Sequence, residues 1–75
     1  MATKKDNQVW VRWFFGANWG DLFPVLRDRI DVDIGQHLSF YGDEFWSDAD
    51  IEIIDGNTVT NHPASDFTPP HRKAG

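Results

Sequence analysis

The fold of this 75-residue chain is decided by one stretch, Gln8-Val9-Trp10-Val11-Arg12-Trp13-Phe14-Phe15. Side chains along it alternate with a period of two, which is typical of a β-strand. One face would carry four apolar side chains: Val9, Val11, Trp13 and Phe15. The other face would carry Trp10, Arg12 and Phe14, and is also largely apolar. The stretch therefore predicts a central strand with a helix on one face and a second face that is buried or available to a partner.

A helix is predicted after this strand. Residues 16–20 contain two glycines and an asparagine, which tolerate turn conformations. Asp21 is suited to cap a helix, and Pro24 would fall in its first turn, where a missing N–H costs little. The predicted helix covers residues 21–30, and its inner face follows helical spacing: Leu22, Val25, Leu26 and Ile30.

Strand periodicity is predicted from residue 31 onward. Apolar residues alternate with polar ones over residues 31–34, 38–41 and 48–53, and Asp55-Gly56 predicts a type I′ turn between strands at 51–54 and 57–60. We therefore predict an α+β domain in the order β-α-β-β-β, with one helix packed on an antiparallel sheet of about four strands. The domain would span residues 8–62, between a flexible N-terminus (1–7) and a Pro-rich, mostly flexible tail (63–75).

Size and composition argue against an enzyme. A chain of 8.6 kDa is too short for a nucleotide-binding fold or a barrel, and without cysteine it has no disulfide, thiolate zinc site or cysteine nucleophile. It contains neither a glycine-rich phosphate loop nor a Gly-x-Ser-x-Gly motif. The carboxylate pairs at 31/33 and 48/50 match a calcium loop poorly, because Gly35 takes the place of the third ligand after the first pair and the apolar residues between the acids have strand periodicity. We predict a non-catalytic protein without a metal or cofactor.

Acidic residues are concentrated in the middle of the chain. Residues 21–55 contain ten Asp and Glu against two arginines, Arg27 and Arg29. Such a segment repels phosphate backbones and attracts a basic partner. If Asp48, Asp50 and Glu52 share a strand face, their Cα atoms are spaced by about 6.7 Å, which is of the same order as the phosphate spacing of nucleic acids. This spacing suggests nucleic-acid mimicry.

In size, charge and lack of catalytic motifs the chain resembles the small acidic inhibitors that phages encode against restriction enzymes, CRISPR complexes, other host nucleases and polymerases. From the acidic surface we expect an inhibitor that occupies the basic groove of a larger protein or nucleoprotein, as a monomer or homodimer. The lack of cysteine and of a signal-peptide pattern predicts that it is cytoplasmic. It would bind neither nucleic acid directly nor a membrane. The predicted contact residues are seven acids and three aromatics: Asp31, Asp33, Asp43, Glu44, Asp48, Asp50, Glu52, Trp19, Tyr41 and Trp46.

Two other functions remain open. A non-catalytic subunit or adaptor would bind through exposed aromatics, for example as a homodimer through Trp10 and Phe14, and its affinity would depend little on salt. A small nucleic-acid-binding protein would use Arg12, Arg27, Arg29 and the basic ends of the chain. A mobility shift of a labelled oligonucleotide would indicate the nucleic-acid-binding protein, whereas neither an adaptor nor an inhibitor of this kind would cause one.

Overall fold

The computed structural model describes residues 6–68. They form one antiparallel sheet of five strands: β1 (Gln8–Phe15), β2 (Asn18–Trp19), β3 (Phe23–Leu26), β4 (Asp50–Asp55) and β5 (Thr58–Pro63). Two short helices, α1 (Ile30–His37) and α2 (Asp43–Asp48), lie between β3 and β4 in the chain. Short 3-10 turns cover Arg27–Arg29 and Ala64–Phe67. The α+β class and the packing of helix on an antiparallel sheet are confirmed.

Strand β1 is the central strand, as its alternation predicts. It pairs with β4 along one edge, and with both β2 and β3 along the other, while β5 pairs with β4. Val9 and Val11 are completely buried, and Trp13 and Phe15 pack against the same core. One face of β1 therefore supplies the centre of the hydrophobic core.

Strands β2 and β3 pair with the same edge of β1 and are joined by residues 20–22, which belong to neither strand. Phe14 lies opposite Trp19, and the Gly20 N–H donates to the Trp13 carbonyl at 3.1 Å, but Val11 lies opposite Phe23. The pairing has therefore shifted by one residue, which is the definition of a β-bulge. Since one added residue reverses the side on which later side chains point, Trp19 and Phe23 lie on opposite faces of the sheet. Glycine is required at position 20, because a Cβ there would overlap the Trp13 indole.

The predicted helix at residues 21–30 is wrong. Residues 23–26 are strand β3, and the α-helix begins only at Ile30. The steric effect of Pro24 disfavours helical backbone at Phe23. Pairing with β1 also buries Phe23 and Val25 together, and such tertiary packing outweighs a weak helix propensity.

The strands predicted at residues 31–34 and 38–41 are also wrong, because these residues form α1 and the turn after it. Ile30, Ile34 and Leu38 are spaced by four, so that one helix face presents them all to the core. The strand predicted to begin at residue 48 begins at residue 50, since α2 extends to Asp48. The element order is therefore β-β-β-α-α-β-β instead of β-α-β-β-β.

The hairpin predicted around Asp55-Gly56 is confirmed, with a different turn. Asp55 pairs with Thr58, so the loop consists of Gly56 and Asn57. Gly56 has a φ of 62°, whereas the φ of Asn57 is not positive. This combination is typical of a type II′ turn, in which glycine occupies the first loop position, instead of the predicted type I′.

The core lies between one face of the sheet and the helices. It contains Val9, Val11, Phe23, Val25, Ile34, Leu38, Phe45, Trp46, Ala49, Ile51, Ile53, Ala64 and Phe67. The last two belong to the C-terminal 3-10 turn, and the Ala64 N–H donates to the Ala49 carbonyl at 2.9 Å. The packed core therefore includes residues beyond the domain boundary predicted at 62. The flexibility predicted for the two ends falls mainly on residues 1–5 and 69–75, which lie outside the described residues.

Candidate functional site

The face of the sheet opposite the helices carries rows of side chains, because residues paired across antiparallel strands share a face. Gln8 and Leu26 form a short row at one end, and three longer rows, numbered from that end, follow it. We call this surface the open face, since both helices and the C-terminal 3-10 turn pack on the other side. The first row contains Pro24, Trp10, Ile54 and Val59. The second contains Arg12, Glu52 and Asn61. The third contains Trp19, Phe14, Asp50 and Pro63.

Apolar side chains dominate the first and third rows of the open face. Trp19 is 65% exposed and Val59 is 53% exposed. Their neighbours in the sheet leave Trp10, Phe14 and Ile54 half-buried. Single exposed apolar residues are normal on protein surfaces, but an apolar row across a sheet commonly marks an interaction site. The open face has the composition of an interface core, in which tryptophan and other aromatics are enriched.

An ion pair occupies the centre of the open face. Arg12 Nη2 lies 2.8 Å from Glu52 Oε1, and the two side chains are only 33% and 16% exposed. The guanidinium carbon also lies 5.0 Å from the ring centroid of Phe14, within range of a cation–π interaction. Because each charge is neutralised by its neighbour, an apolar partner surface can cover this row at a lower desolvation cost than it would meet over a single charge.

The structure separates the seven predicted acidic contact residues into three places: Asp31 and Asp33 on α1; Asp43, Glu44 and Asp48 on α2; Asp50 and Glu52 on β4. The predicted row of three carboxylates on one strand face is wrong, because Asp48 ends α2 and Glu52 is bound to Arg12. Asp33 has a structural contact, since it accepts from the Leu26 N–H at 3.4 Å and lies 3.7 Å from Arg29. Asp31, Asp43, Glu44, Asp48 and Asp50 are exposed.

The three predicted aromatic contact residues have different environments. Trp19 is exposed on the open face. Trp46 lies in the core, which excludes it from a surface contact, although it was predicted to be exposed. Tyr41 is half-buried on the helix side and stacks on Phe45 with ring centroids 4.3 Å apart.

Two apolar positions of the open face were not predicted as contact residues. Ile54 and Val59 lie opposite each other in the β4–β5 hairpin. The signal was present in the sequence, because strand alternation places Ile54 on the face opposite Ile51 and Ile53, and a two-residue loop at either 55–56 or 56–57 places Val59 on the same face as Ile54.

The described residues have a strong negative charge excess. Residues 6–68 contain twelve Asp and Glu but three Lys or Arg, and each of the three arginines lies beside a carboxylate. Arg27 makes two hydrogen bonds to Asp55, and these bonds, together with the charge of that carboxylate, raise the pKa of Arg27 above its ordinary value. The resulting field attracts a basic partner and repels a phosphate backbone.

No protein-family model, curated protein or solved structure matches this chain. Function is therefore inferred from the geometry of the described residues. Within residues 6–68, His, Asp and Glu side chains form no group of three or more that could hold a metal ion. In the same part of the chain, no helix has the length and apolar character needed to cross a membrane.

Reversal of charge at Glu52 and at Asp50 should have different effects on stability. Glu52→Lys is expected to lower the free energy of unfolding by about 1–2 kcal/mol, because it places an ammonium group beside a half-buried guanidinium that has lost its partner. Asp50→Lys changes an exposed side chain on the same strand and is expected to shift it by less than about 0.5 kcal/mol. Urea denaturation followed by circular dichroism measures both values. Equal effects would mean that the Arg12–Glu52 pair does not stabilise the sheet.

Proposed function

We propose that this chain is a non-catalytic protein-binding module that docks the open face of its sheet on a larger protein. The partner surface would be apolar at its centre and basic around it. The observation that carries the proposal is the open face itself, with its two apolar rows on either side of a neutralised ion pair. Both helices pack on the other face of the sheet, so the described residues leave the open face accessible to a partner.

The apolar centre of the partner surface follows from the side chains that it would cover. Trp19 is the most exposed large hydrophobic side chain of the open face, and tryptophan is among the residues that contribute most to binding energy when an interface buries them. Val59 lies at the far side of the sheet from Trp19, so that the two mark opposite edges of the contact. This arrangement favours the adaptor-like binding through exposed aromatics over binding by charge alone.

The basic rim of the partner follows from charge complementarity. Asp50 is exposed on the open face, Asp48 lies two residues away at the end of α2, and the arginines of residues 6–68 are already beside carboxylates. A second copy of the chain would bring a formal charge of −5 against an equal charge. Complementary fields increase association rates and like charges disfavour the wrong partner, so a basic protein suits this surface better than a homodimer.

Inhibition of a nucleic-acid enzyme is the narrower form of this proposal. The basic groove of such an enzyme is one surface with the required charge, and a bound domain of this size would obstruct it. Mimicry of phosphates would then depend on Asp48, Asp50 and the α2 carboxylates Asp43 and Glu44, since Glu52 is already paired. Phage origin and inhibition are proposed only through the resemblance in size and charge.

Capture from a nuclease-treated bacterial lysate, with matched variants as bait, tests the proposal. The open-face variant is Trp19→Ser combined with Val59→Thr, and both positions are more than half exposed, so the fold should be retained. Phe40→Ala is the matched control, because Phe40 is 74% exposed but lies outside the open face. A basic protein should be retained by the wild type and the control, and its affinity for the open-face variant should be at least about ten-fold lower.

Salt dependence and self-association separate the alternatives. With the purified partner, affinity should decrease between about 50 and about 500 mM salt, and Asp48→Lys with Asp50→Lys should remove most of that decrease. A partner that binds the open-face variant normally but does not bind the Asp48→Lys, Asp50→Lys variant would indicate charge mimicry without use of the open face. Dimerisation of the free chain that Trp19→Ser abolishes would indicate a second copy as the occupant, and a shifted oligonucleotide would indicate nucleic-acid binding. Each of these three results contradicts the proposal.

A further inference from the structure

A separate pocket lies on the helix side of the sheet, where the β2–β3 bulge meets the end of α1. It has a volume of about 320 Å³. Its wall contains five ring side chains and one carboxylate, together with two leucines; the rings and the carboxylate belong to Trp13, Phe23, His37, Phe40, Tyr41 and Asp21. Trp13 and Trp19 project from opposite faces of the sheet, so this pocket is distinct from the open face.

The rings of the pocket are held in place by contacts with one another. Trp13 and Tyr41 meet edge-on, with centroids 5.5 Å apart, and Phe40 lies 4.3 Å from Tyr41. Phe23 and His37 stack in parallel at 3.9 Å. The absence of a side chain at Gly20 makes room for the Trp13 indole, because a Cβ there would overlap it. The pocket is thus built by the bulge and by the turn after α1.

The chemistry of this wall favours a positively charged ligand. Aromatic rings carry a negative potential on their faces and attract cations, and Asp21 adds a full negative charge. The wall contains no lysine or arginine, and its one basic side chain, His37, is stacked on Phe23. The helix α1 ends at His37, and the negative end of its dipole therefore lies beside this wall.

The apolar character of the wall further selects the type of cation. A small, strongly hydrated ion would lose water that rings and leucines cannot replace, whereas an alkylated ammonium group loses much less. Enclosure of methylated ammonium by several aromatic rings is the recurring use of such walls. We propose that this pocket binds a methylated ammonium group, of the kind present in choline or in a methylated lysine side chain.

Choline chloride and its uncharged isostere, 3,3-dimethylbutan-1-ol, test the proposal as a matched pair of probes. They have almost the same shape, so a difference in affinity reports the charge. Titration calorimetry, together with the indole N–H resonance of Trp13, should show saturable binding of choline. The isostere is expected to bind at least about three-fold more weakly, which is within the range of measured cation–π contributions.

Variants locate the binding site. Phe40→Ala and Asp21→Asn alter exposed side chains and should preserve the fold, and each is expected to weaken choline binding by about two-fold to thirty-fold. Trp19→Ser is the matched control and should leave choline binding unchanged, because Trp19 lies on the other face. Equal affinity for choline and its isostere, absence of choline binding at about 50 mM, or full binding by Phe40→Ala and Asp21→Asn would each overturn the proposal.

The same two variants distinguish this pocket from the open face. Trp19→Ser should remove the protein partner and spare choline, whereas Phe40→Ala should spare the protein partner and weaken choline. Failure of one expectation therefore leaves the other unaffected.

Discussion

Phe45→Ala is expected to lower the free energy of unfolding by about 3–5 kcal/mol. Phe45 is buried on α2 and contacts four other rings, those of Trp13, Phe15, Tyr41 and Trp46, with centroid distances between 4.3 and 6.0 Å. Removal of its ring leaves a cavity and also removes one stacked and three edge-to-face contacts. A domain of 75 residues has a total stability of about 4–11 kcal/mol, so the expected loss is a large fraction of the total.

Phe40→Ala provides the matched control for this prediction. It removes the same ring from a side chain that is 74% exposed, and the expected loss is less than about 1 kcal/mol. Thermal and urea denaturation of the two variants, followed by far-ultraviolet circular dichroism, measure the difference. Similar losses in both would show that the aromatic cluster around α2 does not form the centre of the core.

Ile51→Ala is expected to lower the free energy of unfolding by about 2–4 kcal/mol. Ile51 is completely buried on β4, where it lies between Trp13 of β1 and His62 of β5. Neighbours fixed in a sheet relax little, so most of the space left by the side chain remains empty. Urea denaturation of the variant measures the loss.

Ile54→Ala tests the same strand from its other side. Ile54 is the same residue type, three positions later in β4, but it is half-buried on the open face. Its replacement is expected to cost about 1 kcal/mol, because less of its surface leaves water when the chain folds. If Ile54→Ala destabilises the domain as much as Ile51→Ala, then the open face is covered in the free protein and is not a binding surface.

The central strand and the final hairpin could be predicted because local patterns determined them. The alternation of Gln8–Phe15 persists over eight residues, and a glycine beside Asp55 and Asn57 marks a two-residue turn. The exact turn type was less accessible, since it depends on whether the loop begins at Asp55 or at Gly56.

The middle of the chain could not be assigned correctly from periodicity. Ile30, Ile34 and Leu38 are spaced by four, a distance that satisfies both strand alternation and one face of a helix. Propensities were equally ambiguous for Phe23–Leu26, where helical spacing competed with the restriction that Pro24 imposes. Packing outside each segment decided both cases, because β3 pairs with β1, and α1 packs against β3 and the C-terminal 3-10 turn.

The candidate site was predictable only in part. The second face of β1 was identified from the alternation of Trp10, Arg12 and Phe14, and the structure leaves that face free of helices. The acidic row failed because it required residues 48–52 to form one strand, and Glu52 meets an arginine 40 residues away in the chain. Such a pairing depends on register between distant strands, which no local pattern contains.

The bulge after Trp19 restricts how the length of this chain can change during evolution. Trp19 and Phe23 are four residues apart and would share a face in an uninterrupted strand, yet they serve different surfaces. Loss of one residue between them would turn Phe23 and Val25 towards water or bring Trp19 against the core. Insertions or deletions of two residues would preserve both assignments. The fold therefore constrains whether the number of residues in this short segment is odd or even, separately from the identity of each residue.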